Sequence, residues 1–161
     1  MTCYVVDTSV FIDAADWYPM DIFPAFWRKI EELVQDGYVV SIDAVYREIL
    51  EEEDSLSRWA MESFHGWRPA KGDRVIGQYY TQIAQYIDGL SSKSRAAKDN
   101  FLKGADGWLV AYAWAKSATV VTHEKSVTSS SKQIKIPDVC NHFGVTCVRL
   151  FDMLRQLHVK I

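Results

Sequence analysis

The chain has 161 residues, enough for one domain with a substantial core and no need of disulfide or metal staples. Hydrophobic residues make up 48% and aromatic residues 13%, which excludes intrinsic disorder, and no run of about eighteen apolar residues is present to span a membrane. The net charge of −3 conceals a division: residues 1–62 hold 14 acidic and 4 basic side chains (−10), whereas residues 63–161 hold 7 and 14 (+7). An acidic half suits cations and a basic half suits a polyanion, but two solvated faces of opposite sign read the same way.

The opening Met-Thr-Cys-Tyr-Val-Val-Asp has no basic lead and no cleavage site, so Cys3–Val6 reads as a first core strand rather than a signal peptide. A helix follows over Phe23–Val34, with Phe23, Phe26, Trp27, Ile30, Leu33 and Val34 on one stripe and Gly37 ending it. Tyr38–Ile42 is the second strand and Asp43–Glu51 the helix after it. Leu56–Phe64 and Val75–Ile87 carry further helical stripes, and Ala105–Ala115 is a strong helix. Ala118–Thr122 and Val145–Val148 are the third and fourth strands. Pro137 starts a short helix, and Leu150–Leu157 closes the chain.

The strands are apolar throughout rather than alternating, as befits parallel strands covered on both faces. Strand–helix alternation predicts one α/β domain over residues 1–161, a three-layer sandwich whose central parallel sheet has four to five strands flanked by helices. Residues 43–117 separate the second and third strands, too many for a loop, so an all-helical insertion is expected at about 54–104. Ser91–Ser94 and Thr128–Ser131, small and polar, are the expected mobile segments. Cys3, Cys140 and Cys147 are an odd number at spacings that match no zinc pattern, and read as structural thiols of a reducing cytoplasm.

Ligands of an open parallel sheet collect outside the carboxyl ends of its strands, and acids recur there. Asp7 follows the first strand, where a turn or cap role is equally natural. Glu48 follows the second strand and shares the inward side of its helix with Val45 and Ile49, with an ion pair to Lys29 or to the neighbours of Arg47 as the plainer explanation. Asp106 opens the helix at Ala105 on the face of Val110 and Ala113, beside Gly107, a poor helix former. Glu124 follows the third strand. Convergence of four acids on one sheet edge suits a hard cation such as Mg²⁺ or Mn²⁺, which prefers oxygen ligands and relieves the repulsion among them. Of the four histidines, only His123 lies near the proposed site, beside an exposed strand end. Lys93, Arg95, Lys98 and Lys103 run into Asp106 and are candidates to hold the phosphates of a polyanion, or simply a solvated helix face.

The segment Tyr-Val-Val-Asp-Thr-Ser-Val-Phe-Ile resembles the start of PIN domains. Ser-Ile-Asp-Ala-Val-Tyr-Arg-Glu-Ile resembles their second motif, Ala-Asp-Gly-Trp-Leu-Val-Ala-Tyr-Ala their third and Val-Val-Thr-His-Glu their fourth, all in family order from residue 4 to 124. Trp17–Trp27 and Lys135–Cys147 resemble a bacterial PIN-like subgroup common in toxin–antitoxin pairs. The resemblance implies a Mg²⁺- or Mn²⁺-dependent endoribonuclease that hydrolyses RNA phosphodiester bonds. Asp7, Glu48, Asp106 and Glu124 would be its metal-binding and catalytic acids, with Thr8, Ser9 and Thr122 in support. It further implies an RNA substrate, an antitoxin partner and often a homodimer. Ser9 stands where the family more often has Asn, and Glu124 where it usually has Asp, so the fourth acid reaches one methylene further.

Other strand-end chemistries lack their parts. A haloacid-dehalogenase-type phosphatase needs a second Asp where Ser9 stands, a receiver domain needs an acidic pair, and dinucleotide and P-loop enzymes need glycine loops. The alternative of another class is a PIN-like module that binds RNA or protein without cutting.

Overall fold

The computed structural model describes residues 2–161. Five short parallel strands form one sheet: β1 (Tyr4–Val6), β2 (Val39–Ile42), β3 (Trp67–Arg68), β4 (Thr119–Val121) and β5 (Cys147–Val148). Their order is β3-β2-β1-β4-β5, with Val5 facing Val40 on one side and Val120 on the other. Val5, Val39, Ile42, Val120 and Val121 are wholly buried, and each such side chain contributes about 1.5–3 kcal/mol by leaving water. The domain is the expected α/β sandwich, a central parallel sheet with helices on its faces.

Nine helices are described: α1 (Thr8–Trp17), α2 (Pro24–Gln35), α3 (Asp43–Ile49), α4 (Ser55–Glu62), α5 (Arg74–Asp88), α6 (Arg95–Lys103), α7 (Asp106–Lys116), α8 (Ile136–Phe143) and α9 (Leu150–Gln156). The stripe expected on α2 is buried as Phe26, Trp27, Ile30, Leu33 and Val34. Trp27 packs on Trp59 of α4, and Phe11 of α1 packs on Trp59, Phe64 and Trp67. Tyr79 and Tyr86 of α5 join Trp114 of α7 and Phe143 of α8 in a second aromatic group. Gly107 is explained by this packing. A Cβ there would lie 3.1 Å from the Tyr80 ring, which stacks on Trp108 at 3.9 Å while its hydroxyl donates to the Leu102 carbonyl.

One expectation needs correction. The insertion is not all helical, because Trp67–Arg68 within it pairs with Ser41–Ile42 as the edge strand β3. Two residues followed by Pro69 carry no periodicity, and an edge strand tolerates a proline at its end. The two segments expected to be mobile hold each other. Ser92 Oγ donates to the Ser129 carbonyl (2.8 Å), Lys93 Nζ to that of Ser131 (2.9 Å), and the Ser94 amide to that of Lys132 (3.2 Å).

The chain runs outward from β1 to β2 to β3, then returns to β4 on the far side of β1. Strand order therefore reverses between β1 and β4, and a crevice forms outside their carboxyl ends. Asp7 and Thr122–Glu124 stand at those ends. Among the described residues, no helix is long and apolar enough to cross a membrane.

Candidate active site

Asp7 is the most enclosed of the four acids, at 3% exposure. Its amide donates to the Val121 carbonyl, which fastens the end of β1 to β4. Oδ2 accepts from Ser9 Oγ (2.7 Å) and from Thr122 Oγ1 (2.8 Å), while Oδ1 accepts no hydrogen bond. Both hydroxyls serve twice. Ser9 Oγ accepts the His123 amide and Thr122 Oγ1 accepts the Glu124 amide, so the two strand ends form one hydrogen-bonded unit.

Glu48 projects from α3, held at both oxygens. Thr8 Oγ1 donates to Oε2 at 2.6 Å and the Ala105 amide to Oε1 at 3.0 Å. It therefore joins the start of α1 to the start of α7. The ion pairs suggested by the sequence form elsewhere: Lys29 joins Glu32 and Arg47 joins Asp43. Gly104 makes the Ala105 approach possible, because a Cβ there would lie 3.3 Å from Glu48 Oε1. Glu124 accepts the Ile136 amide at Oε2 (2.8 Å), holding the first turn of α8. Its other oxygen accepts no hydrogen bond.

Asp106 opens α7, and among the described residues no donor reaches its carboxylate. Burial, followed by the charges of Asp7, Glu124 and Glu48, raises its pKa to about 8, against a small opposing pull from Lys135. Asp7 is raised to about 6, chiefly by burial, despite its two hydroxyl donors and with Glu124 and Glu48 adding to the rise. The four sequence-predicted acids thus feel one another at the point where strand order reverses. Among the described residues, no three His, Cys, Asp or Glu side chains are arranged as a direct metal chelate. The free oxygens are those of Asp106, Asp7 Oδ1 and Glu124 Oε1. That set suits an ion that keeps most of its water and takes one or two carboxylates directly.

A family model described as Domain of unknown function (DUF4411) matches residues 4–161. The chain belongs to this family. Comparison with curated proteins and with solved structures gives no match. The name DUF4411 states no activity, so a functional reading of this DUF4411 chain stands on its site.

His123 is not the exposed residue its place in the sequence suggests. Its side chain is 5% exposed, with Nδ1 at 2.7 Å from Asp13 Oδ2 and the ring stacked on Trp17. The Leu150 amide donates to Nε2 (3.3 Å), so the ring proton sits on Nδ1 and is given to Asp13. His123 joins α1 to α9 as a structural pin. His123→Ala is expected to cost about 2–4 kcal/mol, through two lost hydrogen bonds and a stacked ring, read as a lower denaturant midpoint.

The basic segment before Asp106 is largely occupied with itself. Arg95 pairs with Asp88 and Asp99, Lys98 Nζ donates to the Asp88 carbonyl, and Lys93 is held by Ser131. Only Lys103 of the four lines a cleft beside Glu48. A larger cleft of about 520 Å³ opens beside Glu124, with Lys125, Arg149 and Asp152 on its walls.

Proposed function

We propose that the chain is a Mg²⁺- or Mn²⁺-dependent endoribonuclease of PIN-like type. The observation that carries this reading is the meeting of Asp7, Glu48, Asp106 and Glu124, in mutual electrostatic reach, where strand order reverses. Carboxylates pressed together at a cost to one another form a site that a divalent cation stabilises. The free oxygens of Asp7 and Asp106 would hold the ion directly, and Glu48 and Glu124 would act through its water. A cation bound there supplies polarisation of a phosphoryl oxygen and a more acidic water.

The protein's own part is positioning. Ser9 and Thr122 fix Asp7 through Oδ2 and leave Oδ1 free of hydrogen bonds. Thr8 and the Ala105 amide orient Glu48, and the Ile136 amide orients Glu124. A phosphodiester entering beside Asp106 would then meet acids that need no rearrangement, which is how a fixed site lowers a barrier. The order of the four motifs supports the PIN-like assignment and, with it, a place as the toxin of a toxin–antitoxin pair in the cytoplasm, silenced by a partner protein and working singly or as a homodimer.

One observation favours a second reading, a non-cleaving module that binds RNA or protein. Glu48 gives both oxygens to structural donors, so acids of this site also serve the fold. Incubation of the purified protein with mixed cellular RNA, in Mn²⁺ or in EDTA, separates the two. New 5′ and 3′ ends that appear with Mn²⁺ and vanish with EDTA are expected, and binding without new ends would select the module.

A further inference from the structure

Cys140 and Cys147 stand on either side of the tight return from α8 to β5. Gly144 ends the helix in the left-handed conformation (φ 68°), and the Val145 amide donates back to the Cys140 carbonyl at 2.9 Å. β5 then pairs with β4, Cys147 against Val120, which fixes its place beside α8. The two side chains face each other closely enough to share a hydrogen bond, and both thiols are free. Their surroundings differ. Cys140 is wholly buried, whereas Cys147 is half-buried and lines the cleft of about 520 Å³ beside Glu124. Cys3, before β1, has Arg68 rather than a second thiol in its surroundings, and burial pushes its own thiol up.

We propose that Cys140 and Cys147 are a redox pair, in which a peroxide oxidises Cys147 at the cleft and Cys140 closes the pair into an intramolecular disulfide. The inference stands apart from the reading of the acid site. The two roles follow from position. A peroxide reacts with a thiolate that it can reach, and only Cys147 of the pair opens onto the cleft. The Cys140 S–H donates toward Cys147 and holds the Cys147 thiol below its usual range, against the opposing effect of burial. The same hydrogen bond, together with burial, pushes the Cys140 thiol up, so Cys140 stays the protonated donor. In the first step the Cys147 sulfur attacks one peroxide oxygen. An S–O bond forms, the O–O bond breaks, and the departing oxygen leaves with a proton as alcohol or water. In the second, the Cys140 sulfur attacks the Cys147 sulfur of the sulfenic acid. An S–S bond forms, the S–O bond breaks, and hydroxide leaves with the Cys140 proton as water. The thiols have lost two electrons and the peroxide has gained them. A thiol reductant reverses the change, as suits a reducing compartment, where such disulfides are transient. The bridge would tie β5 to α8, the helix whose first turn Glu124 holds.

The test is mass spectrometry of the folded protein after treatment with stoichiometric hydrogen peroxide, followed by denaturation and alkylation with N-ethylmaleimide. The unaltered protein is expected to lose two hydrogens and two of its three alkylatable thiols. Peptide mapping should find one cross-linked pair, Cys140 with Cys147, which a thiol reductant releases. Cys140→Ala should stop at the Cys147 sulfenic acid, one oxygen heavier and captured by dimedone. Cys147→Ser should leave Cys140 and Cys3 fully alkylatable. The first measurement is made on the unaltered protein and needs no variant to fold. Three intact thiols there would mean that Cys140 and Cys147 pack only as small apolar side chains, and would overturn the inference. Oxidation of Cys147 to the sulfinic acid without a bridge, or a bridge between two chains through Cys3, would overturn it as well.

Discussion

Asp7→Asn and Asp106→Asn are each expected to cut Mn²⁺-dependent RNA cleavage by more than about 100-fold, the upper range for losing an outer-shell partner of a metal site. Both variants should fold. In Asp7→Asn the amide oxygen can still accept from Ser9 and Thr122, and the amide nitrogen replaces Oδ1, which accepts no hydrogen bond. An NH₂ group there repels a cation where an oxygen would bind it. Asp106 has no hydrogen-bonded duty to lose. Glu124→Gln should cost less, because its amide oxygen can keep the Ile136 contact and only Oε1 is altered. Single-turnover cleavage of a defined RNA measures all three. Cleavage by Asp7→Asn at the parent's rate would remove Asp7 from the chemistry.

The second large effect is on stability without metal. Asp7 and Asp106 have folded pKa values of about 6 and about 8, against 3.8 for an ordinary aspartate in water. The folded protein therefore holds protons that the unfolded chain has released, and the stability this contributes is present in full below about pH 4. It is lost as pH rises through the two folded values, so the EDTA-treated protein should weaken steadily between about pH 4 and pH 9. For Asp7 alone the loss is on the order of 3 kcal/mol, a large part of the 5–15 kcal/mol that typically holds a domain folded. Asp7→Asn removes that charge, and should raise the melting temperature at pH 8 in EDTA by roughly 6–12 °C for a chain of this size. Thermal melts across pH check it. A flat profile would mean that the acids do not burden the fold.

Much of this site was legible in the sequence, for a physical reason. Parallel strands buried on both faces are apolar to their last residue, so the first carboxylate after each one stands out, as Asp7 and Glu124 do. Glu48 and Asp106 could be read because helical spacing places them inward. Partnership across distance was not legible. Nothing near Glu48 announces that Thr8 and Ala105 will take its two oxygens, or that Asp13, Trp17 and Leu150 will enclose His123. β3 was hidden by being two residues long. The partners of the run from Lys93 to Lys98 were equally hidden: Asp88, Asp99 and Ser131 engage Lys93, Arg95 and Lys98 across turns of chain that no pattern announces.

Mn²⁺ binding measured through the melting temperature at pH 8 tests the cation site most directly. The ion binds the folded site and not the unfolded chain, so it should raise the melting temperature of the unaltered protein by mass action, increasingly with concentration. Asp7→Asn/Asp106→Asn should start from a higher melting temperature and show no such rise. An equal Mn²⁺-induced rise in that double variant, or none in the unaltered protein, would contradict a cation held by these acids.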